Sequence, residues 1–449
     1  MKSVAYKKPM KIVLYTMIGC LVALMVSQTI VRAAEYDYID ISNPFLRKIP
    51  LAVPWFKNIS GGQEGEALSV KLPGLLSDTL EFTGYFKMLD RRAFLMDSKN
   101  PDIIASHINF RNWTAIGAEL MITGGIVIKD GFLETELRLF DTVKERLIIG
   151  KRYKGRADDT QRMIRRFCGE VMYHLTGHRG VFDSKIAFLS SLGGKKEIYI
   201  SDFDGNNRKQ FTHHKDIALF PAWSSDGKWM AYTSYAKGQP GLFIRNLKEN
   251  QSTTLDKKGI QITPAWVPGK FELAATLSFS GDQEIYLLTG GGKIIKRLTN
   301  SRGIDVEPTW SPDGKQMAFV SKRSGTPQIY IRDMTNGRVR RLTFQGRYNT
   351  QPDWSPKGDK IVYSAMEVGR IDIFTIDVDG GHRVKLTENQ GDNEAPSWSP
   401  DGSLIVFNST REGRSKIYVM TAFGTDQRRL ISMPGEQTNP KWSPSVISK

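Results

Sequence analysis

The stretch PTWSPDGKQMAFVS, residues 308–321, decides the fold because it recurs. PAWSSDGKWMAYTS starts at Pro221, PAWVPGKFELAATLS at Pro264, PDWSPKGDKIVYSA at Pro352 and PSWSPDGSLIVFNS at Pro396, and PKWSP starts at Pro440 near the end of the chain. The motif tryptophans are Trp223, Trp266, Trp310, Trp354, Trp398 and Trp442, separated once by 43 residues and then always by 44. A fixed period of this size marks a repeat architecture.

Between tryptophans three further segments recur. The first is KIAFLS, KWMAYTS, FELAATLS, KQMAFVS, KIVYSA or SLIVFNS. The second is EIYISDF, GLFIRNL, EIYLLTG, QIYIRDM, DIFTIDV or KIYVMTA, and the third is a short KQFT, TTLD, KRLT, RRLT, VKLT or RRLI. All are β-branched or aromatic, alternate with period two and are divided by Gly, Asp or Asn turns, so each reads as a strand. With the Pro-x-Trp segment as strand A and the others as B, C and D, the order is B-C-D, five times A-B-C-D, then a final A. That predicts six sheets of four. The first sheet (186–212) lacks its own A, and the spare A is PKWSP. Lending it to the first sheet closes a ring and removes both frayed edges, which is a six-bladed β-propeller closed by the C-terminal strand. In this reading proline starts the strand at the channel, where no ladder donor is needed. Tryptophan buries apolar surface between blades. Ser-Pro-Asp-Gly turns from A to B, with VPGK and SPKG as variants that keep proline and glycine.

Ahead of the repeats, residues 34–180 read as a small α+β domain. LAVPWF (51–56) reads as a buried strand, and residues 65–84 place Leu68, Leu72, Leu75, Leu76 and Leu80 on one helical face, with Pro73 a candidate kink. FKMLDRRAF reads as a strand. The segment 118–155 reads as a three-strand meander with a hairpin at Asp130-Gly131. A helix follows Asp158-Asp159-Thr160 and stops at Gly177. Its Arg162, Arg165 and Arg166 oppose Met163, Phe167 and Val171, as on a solvated helix face. The propeller occupies 184–449.

The chain has 449 residues and a net charge of +16. Beyond residue 34 the balance stays basic, but no dense Lys/Arg block appears, which argues against nucleic acid as partner. MKSVAYKKPMK is cationic, Ile12–Val26 is an apolar run, and Val31 and Ala33 fit a cleavage site after Ala33, so residues 1–33 read as a secretory signal. The run is short for a membrane span, which needs about 20 apolar residues. The rival readings are an uncleaved anchor or lipid attachment at Cys20, where the apolar run continues past the cysteine. A mature chain then keeps one thiol, Cys168, and no disulfide.

Catalytic sets are hard to find. No Gly-x-Ser-x-Gly elbow occurs, so the propeller-plus-hydrolase arrangement lacks its nucleophile. The SPDG spacing differs from sialidase boxes. Asp202/Asp204 and Asp377/Asp379 sit where strand C turns into D and read as hairpin turns rather than calcium ligands. His174 and His178 have ligand spacing but flank a helix end and Gly177. No cofactor or metal is expected. What varies is the segment before each Pro-x-Trp: KDIALF, KGIQIT, RGIDVE, GRYNTQ, GDNEA and GEQTN. The strict period places all six as loops at one rim, where recognition concentrates on a rigid scaffold. A propeller hydrolase or lyase and a sugar- or cation-binding propeller remain the alternatives to a protein-binding module.

The signal, the α/β domain, the join LTGHRGVFDSKIAFLS (175–190) and six Pro-x-Trp blades together resemble the TolB family. The resemblance implies a monomeric, non-enzymatic periplasmic adaptor of the Tol–Pal envelope system, serving outer-membrane integrity and constriction at cell division. It implies that the propeller face binds the peptidoglycan-associated lipoprotein Pal, and in some members colicins. By position the Pal-binding residues are Ile260, Thr263, Val306 and Glu307, with Leu219, Phe220, Thr350, Gln351, Glu394, Ala395, Thr438 and Asn439 as further candidates. Family members often carry a histidine at the place of Ile260. The implied TolA-binding segment is Glu35, Tyr36, Asp37, Tyr38, Ile39, Asp40 and Ile41, whose alternation suits addition to the sheet edge of the TolA C-terminal domain. The segment is expected either tucked against the domain interface or released, with Gly177 to Asp183 as hinge.

Overall fold

The computed structural model describes residues 47–95, 102–249, 251–255, 257–279 and 281–445. The expected signal (1–33) and the segment Glu35–Ile41 lie outside the described residues.

The N-terminal part is one mixed sheet. Its strands are β1 (Ile49–Ala52), β2 (Lys57–Asn58), β3 (Phe86–Met88), β4 (Leu120–Lys129), β5 (Phe132–Asp141) and β6 (Arg146–Arg156), in the order β3-β1-β4-β5-β6 with β2 beside β4. Helices α1 (Gln63–Glu81) and α3 (Thr160–Thr176) cover one face through Leu72, Leu76, Leu80, Met163, Phe167 and Val171, and the short α2 (Phe110–Ala115) covers the other through Phe110 and Trp113. Alternation assigns the strand residues: Leu51 and Ile122 face the long helices, Ala52 and Met121 the short one. Asp130 and Gly131 both take positive φ, 53° and 74°, as a two-residue hairpin requires.

Two sequence expectations change here. The strand expected over 51–56 is Ile49–Ala52, and residues 53–56 leave the sheet. The reason lies in α1, which runs through Pro73. Proline has no N–H to give the Ser69 carbonyl one turn back. The Phe56 N–H supplies that bond at 3.0 Å, so the coil after β1 repairs the helix. FKMLDRRAF is a strand only over Phe86–Met88. Asp90 then caps a 3-10 turn at Arg91–Ala93, its side chain accepting the Arg92 N–H.

The repeats form six four-stranded sheets. Blade 1 holds β7 (Lys185–Ser190), β8 (Glu197–Asp202) and β9 (Lys209–Gln210), with the C-terminal β30 (Gln437–Trp442) as its inner strand, so the last strand closes the ring as expected. Strands β10 to β29, residues 218–429, build blades 2 to 6 in A-B-C-D order. The motif tryptophans are all buried. They also tie blade to blade. The Trp223 indole N–H donates to the Lys441 carbonyl at 3.0 Å, Trp266 to Ala222 at 3.2 Å and Trp310 to Ala265 at 3.2 Å. Where the residue between proline and tryptophan carries an acceptor oxygen, its side chain takes the next tryptophan's backbone N–H. Asp353 accepts from Trp398 at 2.8 Å and Ser397 from Trp442 at 3.2 Å.

The two parts share one apolar cluster, in which Leu76, Phe167 and Phe182 join Phe203, Leu404, Val419 and Trp442. The contacts fall on the A–B and C–D turns of blades 1 and 6. Lys48 pairs with Asp426 at 2.7 Å, and the Arg428 guanidinium lies 4.7 Å over the Phe82 ring. Phe203 meets Phe82 and Phe182 edge-on at 5.0 and 5.6 Å. Gly84 has φ 79° and no room for a Cβ, which would stand 3.1 Å from the Thr421 methyl. Burial, with Asp401 nearby, pushes the Tyr85 phenol up to about 12.

Arg165 corrects the solvated-face reading of α3. Its side chain is 14% exposed and binds Asp202 at 2.9 Å and Asp204 at 3.2 Å. The carboxylates of the DFDG turn thus have a second task beyond turning the hairpin. Gly177 caps α3 with φ 77°, and the expected hinge is packed, with Val181 and Phe182 buried. Cys168 is wholly buried, which pushes its thiol up and away from nucleophilic chemistry.

Candidate functional site: the open end of the propeller

Antiparallel order puts the A–B and C–D turns at one end of the ring and the D–A and B–C connections at the other. The N-terminal domain sits on the first end, and among the described residues the second is open. The segments expected as loops before each Pro-x-Trp are largely strand. Ile260 starts the inner strand Ile260–Trp266, and Ala218–Trp223, Asp305–Trp310, Tyr348–Trp354, Asn393–Trp398 and β30 correspond to it. Proline also sits mid-strand rather than at the strand start.

A β-bulge accounts for this. Leu219 pairs with Thr233 and Ala222 with Ala231, so Phe220 and Pro221 together oppose Tyr232 alone. The same shift occurs in the inner strands of all six blades. The residue before each proline is left-handed: Phe220 (53°), Thr263 (49°), Glu307 (55°), Gln351 (54°), Ala395 (51°) and Asn439 (48°). None is glycine, so each carries a cost on the order of 1 kcal/mol. The bulge leaves its extra residues out of the ladder, which suits proline's missing donor.

These six residues and their prolines line the central channel, with Lys441. Four of their N–H groups turn sideways to the preceding blade. Glu307 N–H donates to Thr263 Oγ1 at 3.4 Å, Gln351 N–H to Glu307 Oε2 at 2.6 Å and Ala395 N–H to Gln351 Oε1 at 2.8 Å. Asn439 N–H uses Asn408 Oδ1 at 3.1 Å instead, since Ala395 has no acceptor to offer. A rung of hydrogen bonds therefore runs from blade 3 through blades 4, 5 and 6 to blade 1. Thr263, Glu307 and Gln351 are committed to it and face the lumen, whereas Ile260, 36% exposed, stands at the rim. Leu219, Val306, Thr350, Glu394 and Thr438 lie between these levels, half-buried.

Electrostatically the lumen is poorly solvated. Burial raises the Glu307 carboxyl, opposed by the Gln351 N–H. Burial and then Asp392 raise Glu394. Lys441 and Asp353 pair across the channel from blades 1 and 5. The signal for that pair lies in PDW and PKW: opposite charges at one register of a ring whose other copies are Ala, Thr or Ser. Among the described residues no group of three or more His, Cys, Asp or Glu is placed to hold a metal ion. No described helix is long and apolar enough to cross a membrane.

Family models agree with this architecture. The TolB beta propeller domain matches residues 172–446 and the TolB amino-terminal domain matches residues 37–148. The Tol-Pal system protein TolB of Desulfosudis oleivorans is 57% identical over 62% of this chain and 64% of its own length. A Protein TolB homolog of Chlorobium chlorochromatii is 43% identical over 60% of each chain. The match thus spans less than two thirds of these curated relatives. The crystal structure of TolB from Acinetobacter baumannii is 28% identical, superposes with a TM-score of 0.78, and covers 89% of this chain and 97% of that one. The chain belongs to the TolB family of Tol–Pal system proteins.

Proposed function

We propose that this chain is a non-enzymatic periplasmic adaptor of the Tol–Pal system. Its open propeller end binds the peptidoglycan-associated lipoprotein, and its segment 35–41 adds as a strand to the C-terminal domain of TolA. The system's role in envelope integrity and constriction at division follows from coupling the two. The observation that carries the reading is the asymmetry of the ring. One end is covered by the N-terminal domain, and the other presents the six variable strand starts around a strained, rigid mouth. Strain held at six equivalent points signals a shape kept for recognition. Loss of either partner's binding on occupation by the other would make the coupling reciprocal.

Calorimetry with the soluble lipoprotein domain tests the first interaction. Ile260→Asp, at the rim and outside the hydrogen-bonded rung, is expected to weaken binding by about tenfold, as an anchor at an interface centre does. Deleting 35–41 is expected to abolish TolA binding and spare the lipoprotein. Loss of both, or of neither, defeats the division of labour.

A further inference from the structure

Blade 5 differs from the other five at the open end. Elsewhere strands B and C are joined by loops of five or six residues. In blade 5 the same stretch forms two more rungs, Met366 opposite Ile371 and Glu367 opposite Arg370, between strands β23 (Lys360–Glu367) and β24 (Arg370–Asp377). The turn is Val368-Gly369, with φ 49° and 78°. A two-residue turn with both φ positive matches the strand twist and favours Asn-Gly. Valine there is β-branched, strained and fully exposed.

The ribbon presents one apolar row. Tyr348 pairs with Met366, and Met366 with Ile371, so three side chains from three strands share a face. Tyr348 is 45% exposed and Met366 38%, and Phe344, in the loop entering the blade, is 73% exposed. The base is braced: Asp392, from the loop into blade 6, accepts the Ile371 N–H at 3.1 Å.

Unmatched cations border the row. Arg347 and Arg370 are exposed and form no ion pair among the described residues. Glu367 stands opposite Arg370 in the ladder, but its carboxylate is held by Arg383 at 2.7 Å. On the same end of blade 4, Arg302 and Lys322 are likewise exposed without an acid partner.

We propose that the blade 5 ribbon is a preformed anchor for an acidic protein surface carrying an apolar residue that seats on the Tyr348–Met366–Ile371 row. This rests on the lipoprotein reading above and adds, to the contact at the channel mouth around Ile260, a second one off the channel axis, on blade 5. Charge selects the partner's sign, since a second copy of this chain docking the same patch would oppose cation to cation. Tyr, Met and Arg are the residues that interface centres favour. A hydrogen-bonded ribbon loses little freedom on binding.

The test is calorimetric titration of the soluble lipoprotein domain into the intact mature chain at low and high salt. Two double variants are compared, Arg347→Glu with Arg370→Glu, and Met366→Ser with Val368→Asn. The second keeps a residue type that accepts the left-handed turn, so it folds. Each is expected to weaken binding by about tenfold or more, the charge reversal also flattening the salt dependence. If the unaltered chain binds and both variants bind within about twofold of it, the ribbon is not the anchor and the lipoprotein reading survives. If the unaltered chain does not bind, both readings fall. If the variants lose binding to vesicles of anionic phospholipid while lipoprotein binding is unchanged, the patch is a membrane contact and the proposal is overturned.

Discussion

The two ends of the propeller are built from the same repeat and face opposite fates. At the covered end ion pairs cross between the two parts, Arg165 with Asp202 and Asp204 and Lys48 with Asp426, and Arg428 lies over the Phe82 ring. Gly84 sits tight against the Thr421 methyl, and aromatic rings interlock around Phe203. At the open end Arg302, Lys322, Arg347 and Arg370 form no ion pair among the described residues, and Tyr348, Phe344 and Val368 are exposed. The covered end is what such a surface looks like once its partner has arrived. The open end has the same ingredients uncovered, and that is the ground for proposing it as a protein-binding surface.

The largest effect should come from breaking the covered end at the closing strand. Trp442 is 5% exposed, and its indole donates to Ser184 Oγ at 2.7 Å. Trp442→Ala is expected to cost about 3–5 kcal/mol in denaturant unfolding. Ile260→Ala at the open rim is expected to stay within about 0.5 kcal/mol. Equal losses would erase the contrast between the ends.

Next is the ion cluster. Arg165→Ala strips a contact from the buried Asp202 and is expected to cost about 2 kcal/mol, less than a fully orphaned charge because Lys185 and Asn207 remain. Burial alone would raise Asp202, and the bonds from Asn207 and Lys185, with Arg165 nearby, outweigh it and hold the carboxyl below its ordinary value. A depressed folded value stabilises above the unfolded one and is lost as pH falls through the folded one. Acidification below the ordinary carboxylate range should therefore loosen domain docking, and Arg165→Ala should flatten that acid slope in hydrogen exchange of 202–205.

Glu307 has the opposite sign. Its folded value is raised by burial, so its contribution is complete at acid pH and is lost as pH rises through the raised value. Glu307→Gln keeps an acceptor for the Gln351 N–H and should raise neutral-pH stability by about 1 kcal/mol while leaving acid stability unchanged. A loss at neutral pH would mean that the carboxylate charge itself holds the rung together. The smallest effect is Val368→Asn, expected to add about 0.5 kcal/mol by relieving the left-handed valine.

The propeller was legible because its information is periodic. Six copies of Pro-x-Trp, each with three alternating segments, fix strand number, order and closure without any contact being known. The N-terminal domain was legible in its long elements and blurred where single bonds decide. Nothing local in LAVPWF says that Phe56 must leave the sheet to serve the carbonyl freed by Pro73. Arg165 read as a solvated cation because helical periodicity reports which face is apolar, and is silent on whether the polar face meets water or another domain. At the candidate site, the variable positions before each proline were visible and their conformation was not. Six non-glycine residues before proline gave no sign of positive φ, because the bulge is set by closing a ring of inner strands. The blade 5 ribbon stayed hidden for a related reason: MEVGRI has the same length as the loops it replaces, and only Val-Gly as a turn would have pointed to it.

The central claim is that the open end takes the protein partner while the covered end does not. Hydrogen exchange of the mature chain with and without the soluble lipoprotein domain tests it directly. The account predicts slowed exchange at 258–263, 302–307, 346–351 and 366–371, and none at the covered turns 202–205 and 421–426. Protection confined to those covered turns, or none anywhere with the complex formed, would contradict it.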